Sequence, residues 1–254
     1  MADIRGFFFD MDGVIIDTER HGHRVAFNKA FQEFAIPVEW DEETYHDLLQ
    51  VSGGKERMRH YLHTQGFGVP VSSEEEDELI VKLHKRKTDL FLELLESGTL
   101  PLRPGVRRFM EEVRERGLIL GVCTTSNERA AEAVTKKILT GISFDVVLAG
   151  DMVSKKKPDP EIYRLAMERT GLNAKQCVVI EDSRNGVLAA KAAGMYVVAT
   201  SNQYTEREDL SDADIVVTCL GDRDGERGRL THGGHRLDYD GVLTAGQLVD
   251  YFRN

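Results

Sequence analysis

Asp10 and Asp12 stand one residue apart at the end of the apolar run Phe7-Phe8-Phe9, and Gly13 follows at once. The run reads as a buried strand and the glycine as the tight turn beyond it. Two carboxylates delivered to the exit of one strand repel each other and need a countercharge. A hard divalent cation such as Mg²⁺ suits carboxylate oxygens. The same residues could equally form a polar strand end that merely opens a turn, and taken alone they leave both readings open.

Three downstream segments add to the first. The apolar run 118–123 ends at Thr124-Thr125-Ser126-Asn127, a cluster of hydroxyls. Lys155-Lys156-Lys157-Pro158-Asp159-Pro160 is a basic turn with a proline at the expected start of a helix. Val178-Val179-Ile180 runs into a second acidic pair, Glu181-Asp182, followed by Ser183. Carboxylates, hydroxyls and a lysine are the groups needed to hold a divalent cation and a phosphoryl group together.

The elements that must bring these groups together are strands alternating with helices. Residues 4–9, 118–123, 144–149, 177–180, 196–200 and 214–218 read as strands, and 106–116, 128–139, 160–170, 187–193 and 245–252 as helices. In an open parallel sheet with crossover helices, all strand carboxyl ends face one edge, so the four segments converge there. From residue 18 to about residue 96 the pattern is helical instead. Residues 24–34 carry Val25, Phe27, Phe31 and Phe34 at helical spacing. Residues 74–95 read as a long charged helix opened by a capping box of Ser73 and Glu76. Residues 221–236, rich in glycine and charge, read as a long loop.

Asp10, Asp12, Thr124, Lys157, Glu181 and Asp182 match, in order, the haloacid dehalogenase superfamily of phosphotransferases, which the sequence therefore resembles. The resemblance implies an α/β fold: a Rossmann-like parallel sheet core with an inserted α-helical cap subdomain. Residues 1–16 and 97–254 would form the core and 17–96 the cap, placed to exclude water and read the substrate. Asp10 is then the expected nucleophile and a Mg²⁺ ligand, and Asp12 the general acid and base, its backbone carbonyl also on the metal. Asp182 is expected as the second carboxylate ligand, and Glu181 as a further ligand or a partner acting through water. Thr124 is expected to offer its hydroxyl and backbone amide to the phosphoryl group, assisted by Thr125. Asn127 is a further candidate, set against its use as a helix cap. Lys157 is expected to neutralise charge on the transferring group, whereas Lys155 and Lys156 are read as solvent-facing.

Thr18-Glu19, His23-Arg24, Tyr45 and Gly53-Gly54-Lys55-Glu56-Arg57 resemble the CbbY-type branch of sugar bisphosphate phosphatases. That resemblance implies a second phosphate held by Gly53, Gly54 and Lys55, with Arg57 either on that phosphate or bracing the loop, and Glu19, His23 and Tyr45 on sugar hydroxyls or the distal phosphate; His23 could equally be an exposed surface histidine. It also implies xylulose 1,5-bisphosphate as substrate, a Rubisco inhibitor whose removal is metabolite repair. Glu56 stands where a Walker motif needs Ser or Thr, so Gly53-Gly54-Lys55 is not a nucleotide loop. His21, His46, His60 and His63 are read as surface residues. The competing readings are a phosphosugar mutase of the β-phosphoglucomutase type, a dehalogenase, and a non-enzymatic phosphoacceptor switch. Asp12 and the Glu181-Asp182 pair argue against a dehalogenase, and the inserted helical block against a switch.

The formal net charge is −10 and the sequence holds no long basic stripe, which disfavours nucleic acid as a partner. A local basic pocket can still draw a small anionic sugar phosphate. No stretch has the length of a membrane span. The three cysteines, Cys123, Cys177 and Cys219, all follow strand-like runs and read as reduced packing residues. With only nine residues ahead of Asp10, no targeting segment is expected in this sequence. The expected setting is the plastid stroma for a photosynthetic eukaryote and the cytoplasm otherwise, and a monomer is expected.

Overall fold

Phe7, Phe8 and Phe9 are fully buried in β1 (Gly6–Phe9), a strand covered on both faces. That is why the sequence runs apolar here without alternating. The computed structural model describes residues 3–51 and 53–253. The other strands are β2 (Ile119–Cys123), β3 (Val146–Leu148), β4 (Cys177–Glu181), β5 (Tyr196–Thr200), β6 (Ile215–Val217) and β7 (Leu230–Gly233). Among the described residues they form one sheet in the order β3-β2-β1-β4-β5-β6-β7, parallel throughout except for the antiparallel β6–β7 pair.

Between β1 and β2 the chain forms α1 (Arg24–Glu33), α2 (Glu42–Leu48), α3 (Gly54–Thr64), α4 (Glu76–Glu96) and α5 (Val106–Glu115). After β2 come α6 (Glu128–Ala133), α7 (Glu161–Thr170), α8 (Arg184–Ala192) and α9 (Ala245–Arg253). The chain divides into two units, Met1–Asp17 with Pro101–Asn254, and Thr18–Leu100.

In the sheet unit, successive side chains of β1 point to opposite faces. Phe7 and Phe9 meet Phe109 of α5 edge-on, at ring separations of 5.3 and 5.8 Å. Val106, Phe109, Met110 and Val113 form the buried stripe of α5, at i, i+3, i+4 and i+7. Phe8 faces the other way, into a core with Ile162, Tyr163 and Ala166 of α7 and Val187 and Ala190 of α8. Each buried phenylalanine contributes roughly 2–3 kcal/mol by leaving water, so β1 is anchored from both sides just before Asp10.

The helical unit has an aromatic core of its own. Phe27 and Phe31 lie 4.8 and 4.9 Å from Trp40, and Tyr61 lies 5.5 Å from it. Asn28 brackets the Trp40 backbone, its carboxamide donating to the carbonyl (2.9 Å) and accepting from the amide (2.8 Å). The buried stripe of α1 is Ala26, Phe27, Ala30 and Phe31 rather than one including Val25 and Phe34.

Two local expectations are corrected. Part of the loop expected over residues 221–236 is β7, which extends the sheet against β6. The Ser73–Glu76 capping box does not form: Ser72 bonds Glu75 (2.6 Å), and Glu76 instead binds Arg59 (3.2 Å) and His63 (2.9 Å). His63 therefore has a carboxylate partner. Among the described residues no helix is long and apolar enough to cross a membrane.

Candidate active site

Strand register positions the acids. Phe9 is level with Val122 of β2 and Ile180 of β4. One residue on, Asp10 is therefore level with Cys123 and Glu181, and its amide donates to the Ile180 carbonyl (2.9 Å). Strand order reverses between β1 and β4, and ligands of open parallel sheets bind in the crevice at such a point, beyond the carboxyl ends. Gly13 closes the turn with φ of 78°, a conformation that favours glycine. A Cβ there would lie 2.0 Å from Asp182 Oδ2, so the turn also has to pass close to that carboxylate.

Carboxylate oxygens of Asp10, Glu181 and Asp182 all lie within 4.8 Å of one another, and all three residues are buried. Lys157 Nζ sits among them, 2.5 Å from Asp10 Oδ1 and 2.6 Å from Glu181 Oε1, and also donates to the Cys123 carbonyl (3.0 Å). Burial pushes the Asp10 carboxyl up to about 8; Lys157 opposes the rise, and Glu181 and Asp12 add to it. Burial likewise holds Asp182 well above the usual carboxylate range, with Glu181 and Asp10 adding, Arg103 and Asn202 opposing. Burial would lower the Lys157 ammonium, but Asp10 and Glu181 outweigh it and hold the group above its ordinary value. One lysine thus does not neutralise the cluster, and a hard divalent cation fits this all-oxygen donor set.

Glu181 is the most heavily used of the three. Its Oε1 also accepts from the Tyr163 hydroxyl (2.6 Å) and its Oε2 from the Asp182 amide (3.1 Å). That leaves Asp10 and Asp182 with the greater capacity for a metal. Ser183 caps α8 by accepting from the Gly186 amide (3.2 Å), so Asp182 is not needed as the cap. The Asp12 carboxylate lies outside the trio, which leaves only its backbone carbonyl for the metal role expected of it. The Ser126 hydroxyl donates to Asp12 Oδ2 (2.6 Å), the Thr124 hydroxyl is 3.4 Å away, and buried Oδ1 has no hydrogen-bond partner.

Several expected roles change. The Thr124 amide donates to the Leu148 carbonyl (3.0 Å) as part of the sheet and its hydroxyl oxygen accepts from the Ser126 amide (3.0 Å), which leaves the hydroxyl proton for a ligand. Asn127 caps α6, accepting from the Ala130 amide (2.9 Å), so its carboxamide oxygen is committed to the fold. Thr125 is exposed at the loop. The Lys156 ammonium is not merely solvent-facing: it donates to the Gly150 carbonyl (2.5 Å) and lies 3.4 Å from that of Thr125.

In the helical unit, Tyr45 is fully buried and its hydroxyl donates to Glu19 Oε2 (2.5 Å). Arg57 donates to the Leu48 carbonyl (3.0 Å), the Val51 carbonyl (3.4 Å) and the Tyr45 hydroxyl (3.1 Å). Arg57 and Tyr45 therefore brace the turn ahead of α3, and of these polar groups Glu19 and Lys55 are only partly buried. Gly53 is the N-cap of α3 and Gly54 its first residue. His23 stacks on Phe91 at 3.9 Å and accepts from Lys87 (2.9 Å) through Nδ1. Burial, then Lys87, Arg57 and His84, hold its imidazole well below the usual range.

Sequence reasoning missed Ser126, Tyr163, Lys87, Arg103 and Asn202. Ser126 was legible as part of the hydroxyl cluster; the other four gain their meaning only from packing.

Residues 4–194 match the family described as haloacid dehalogenase-like hydrolase. The chain is 45% identical over 233 residues to the CBBY-like protein of Arabidopsis thaliana, covering 90% of this chain and 73% of that one. It is 36% identical over 229 residues to protein CbbY of Cereibacter sphaeroides, covering 89% and 96%. The crystal structure of Rhodobacter sphaeroides CbbY in complex with xylulose-1,5-bisphosphate superposes with a TM-score of 0.67 at 36% identity, covering 86% of this chain and 95% of that chain. The buried acids and their lysine thus stand at the sheet edge of a phosphatase: the chain belongs to the haloacid dehalogenase-like hydrolases, and within them to the CbbY-like proteins.

Proposed function

We propose that this sugar phosphate phosphatase is Mg²⁺-dependent, works through a phosphoryl-aspartate on Asp10, and converts xylulose 1,5-bisphosphate to xylulose 5-phosphate. The observation that carries the reading is the buried trio Asp10, Glu181 and Asp182 around Lys157, with Asp12 two residues beyond the nucleophile. The substrate is taken from the relative of 36% identity crystallised with that bisphosphate.

Asp10 and Asp182, with the Asp12 backbone carbonyl, would hold Mg²⁺, which supplies charge neutralisation at the phosphoryl group. An Asp10 carboxylate oxygen attacks phosphorus, the ester P–O bond breaks, and Asp12 gives its proton to the departing sugar oxygen. Asp12 then takes a proton from water as that water attacks phosphorus, which frees Asp10 and inorganic phosphate. Lys157 and the Thr124 hydroxyl stabilise the transferring oxygens. Lys55, with Gly53 and Gly54, holds the second phosphate, and Arg57 supports that loop from behind.

The test is phosphate release from a panel of sugar mono- and bisphosphates, with Mg²⁺ and with a chelator. Turnover of the bisphosphate should require the metal, and Asp10→Asn should lower it by at least ~10³-fold while leaving the circular dichroism spectrum unchanged. Lys55→Ala should raise KM for the bisphosphate and leave a small aryl ester unaffected. Isomerised monophosphate with little phosphate released would establish a mutase instead.

A further inference from the structure

Arg103 touches none of the acids of the site, yet its guanidinium ties together three segments that border it. Nη1 donates to the Gly13 carbonyl, to the Thr200 carbonyl (2.9 Å) and to Thr200 Oγ1 (3.0 Å). Nη2 donates to the carbonyls of Ser201 (2.8 Å) and Thr218 (2.7 Å). Its backbone amide donates to the Ile15 carbonyl (2.9 Å). The acceptors are the turn after Asp12, the end of β5 and the end of β6. Thr218 is also the root of the β6–β7 hairpin, where its amide meets the Arg229 carbonyl (3.0 Å).

A guanidinium placed among neutral oxygens loses hydration, and burial does lower its pKa, with the charges of Asp182 and then Asp17 opposing the fall. A planar fork with five fixed donors can satisfy this array, whereas a lysine ammonium cannot. What the fold gains is the position of Gly13. The Gly13 carbonyl is bound by Arg103 and lies 3.4 Å from Asn202 Nδ2, which donates to Asp182 Oδ2 at 2.7 Å. The backbone of Gly13 is in turn pressed against Asp182. Arg103 and Asn202 therefore fix the separation of the Asp10–Gly13 segment from the Asp182 carboxylate.

We propose that Arg103 is a positioning residue that sets the cation-binding geometry of the site by clamping the Gly13 carbonyl to the ends of β5 and β6. The proposal rests on the Mg²⁺-dependent reading above. It predicts that Arg103 governs metal affinity and kcat, not substrate affinity.

The experiment compares the full chain with Arg103→Lys, Arg103→Gln and Thr200→Val. Mg²⁺ is titrated by isothermal calorimetry into metal-free protein, and kcat and KM are measured at saturating Mg²⁺. Both Arg103 variants should raise the Mg²⁺ dissociation constant by about tenfold or more and lower kcat, with KM within about twofold of the parent. Lysine should not rescue, because the charge is kept and the fork is lost. Thr200→Val removes one acceptor and should move the Mg²⁺ constant several-fold in the same direction, so the test survives if the Arg103 variants fail to fold. Unchanged Mg²⁺ affinity in any folded variant overturns the role of Arg103 alone. A loss confined to melting temperature does the same. A parent chain that binds no Mg²⁺ overturns the metal reading and this inference together.

Discussion

Without a divalent cation, the folded chain should lose stability as pH rises from about 6.5 to about 8, and Asp10 should be responsible for much of the loss. Its carboxyl is raised from 3.8 to about 8 in the folded chain. The folded state therefore holds a proton that the unfolded state has released. The stability this contributes is complete below 3.8 and drains away as pH climbs through about 8. Asp182, also raised, acts with the same sign. Lys157 is raised from 10.5, so its contribution is complete throughout this window and adds no slope. His23 and His84 are lowered from 6.5, so they act with the opposite sign, and their effect fades across the lower end of the window. The buried thiols of Cys123 and Cys177, raised from 9.0, enter only at higher pH. At ~1.4 kcal/mol per pH unit per proton, tapering as Asp10 ionises, the loss is roughly 1.5 kcal/mol for this group. For a chain of this size that is about 3–6 °C in Tm. Scanning calorimetry in chelator at three pH values across the window measures it. Asp10→Asn should flatten the curve, and added Mg²⁺ should raise Tm most at the alkaline end, where it binds ionised carboxylates. A parent Tm that does not fall, or a slope unchanged in Asp10→Asn, refutes the reasoning.

Two substitutions test the architecture more locally. Gly13→Ala puts a Cβ 2.0 Å from Asp182 Oδ2 on a backbone with φ of 78°. It should cost at least ~1 kcal/mol and more than tenfold in kcat, read by thermal melting and phosphate release; parental values would mean that the turn and Asp182 are not in close contact. Tyr163→Phe removes the hydroxyl that donates to Glu181. The expected loss is about 1–2 kcal/mol, as for a buried acceptor left short of a donor, with kcat lowered several-fold and KM unchanged. A change in KM alone would place Tyr163 on the substrate instead.

The parallel part of the sheet was legible because β1, β2 and β4 each carry an apolar run ending in a polar signature. Asp10, Thr124 and Glu181 could be placed at one edge before any coordinates, since parallel strands deliver their carboxyl ends together. What was not legible is what each side chain does once there. Thr124 reads as a donor of both hydroxyl and amide, but sheet pairing with Leu148 takes the amide. Tyr45 reads as a ligand group from its place in a motif, but it is buried and bonded to Glu19, and of the two roles open to Arg57, phosphate partner or loop brace, its bonds to backbone carbonyls and to Tyr45 show the brace. Arg103 sits in Leu102-Arg103-Pro104-Gly105, where nothing in the local pattern hints that five acceptors from distant segments await it. β7 was hidden because Leu230–Gly233 is a short, largely exposed edge strand, without the buried face that produces an alternating pattern. The Ser73–Glu76 pair has capping-box spacing, but Glu76 has stronger partners in Arg59 and His63.

The charge at the sheet edge accounts for the division of labour among the acids. Asp10, Glu181 and Asp182 face one ammonium, so three negative groups less one positive leave a formal −2 when all are ionised. Burial makes that surplus expensive, which is why Asp10 and Asp182 are pushed toward their protonated forms in the metal-free chain. In the proposed reaction a divalent charge would offset that burial and return Asp10 to the carboxylate form that attack requires. Glu181 can remain beneath the pair because Lys157, Tyr163 and the Asp182 amide already satisfy it. It is the fixed carboxylate on which Lys157 rests.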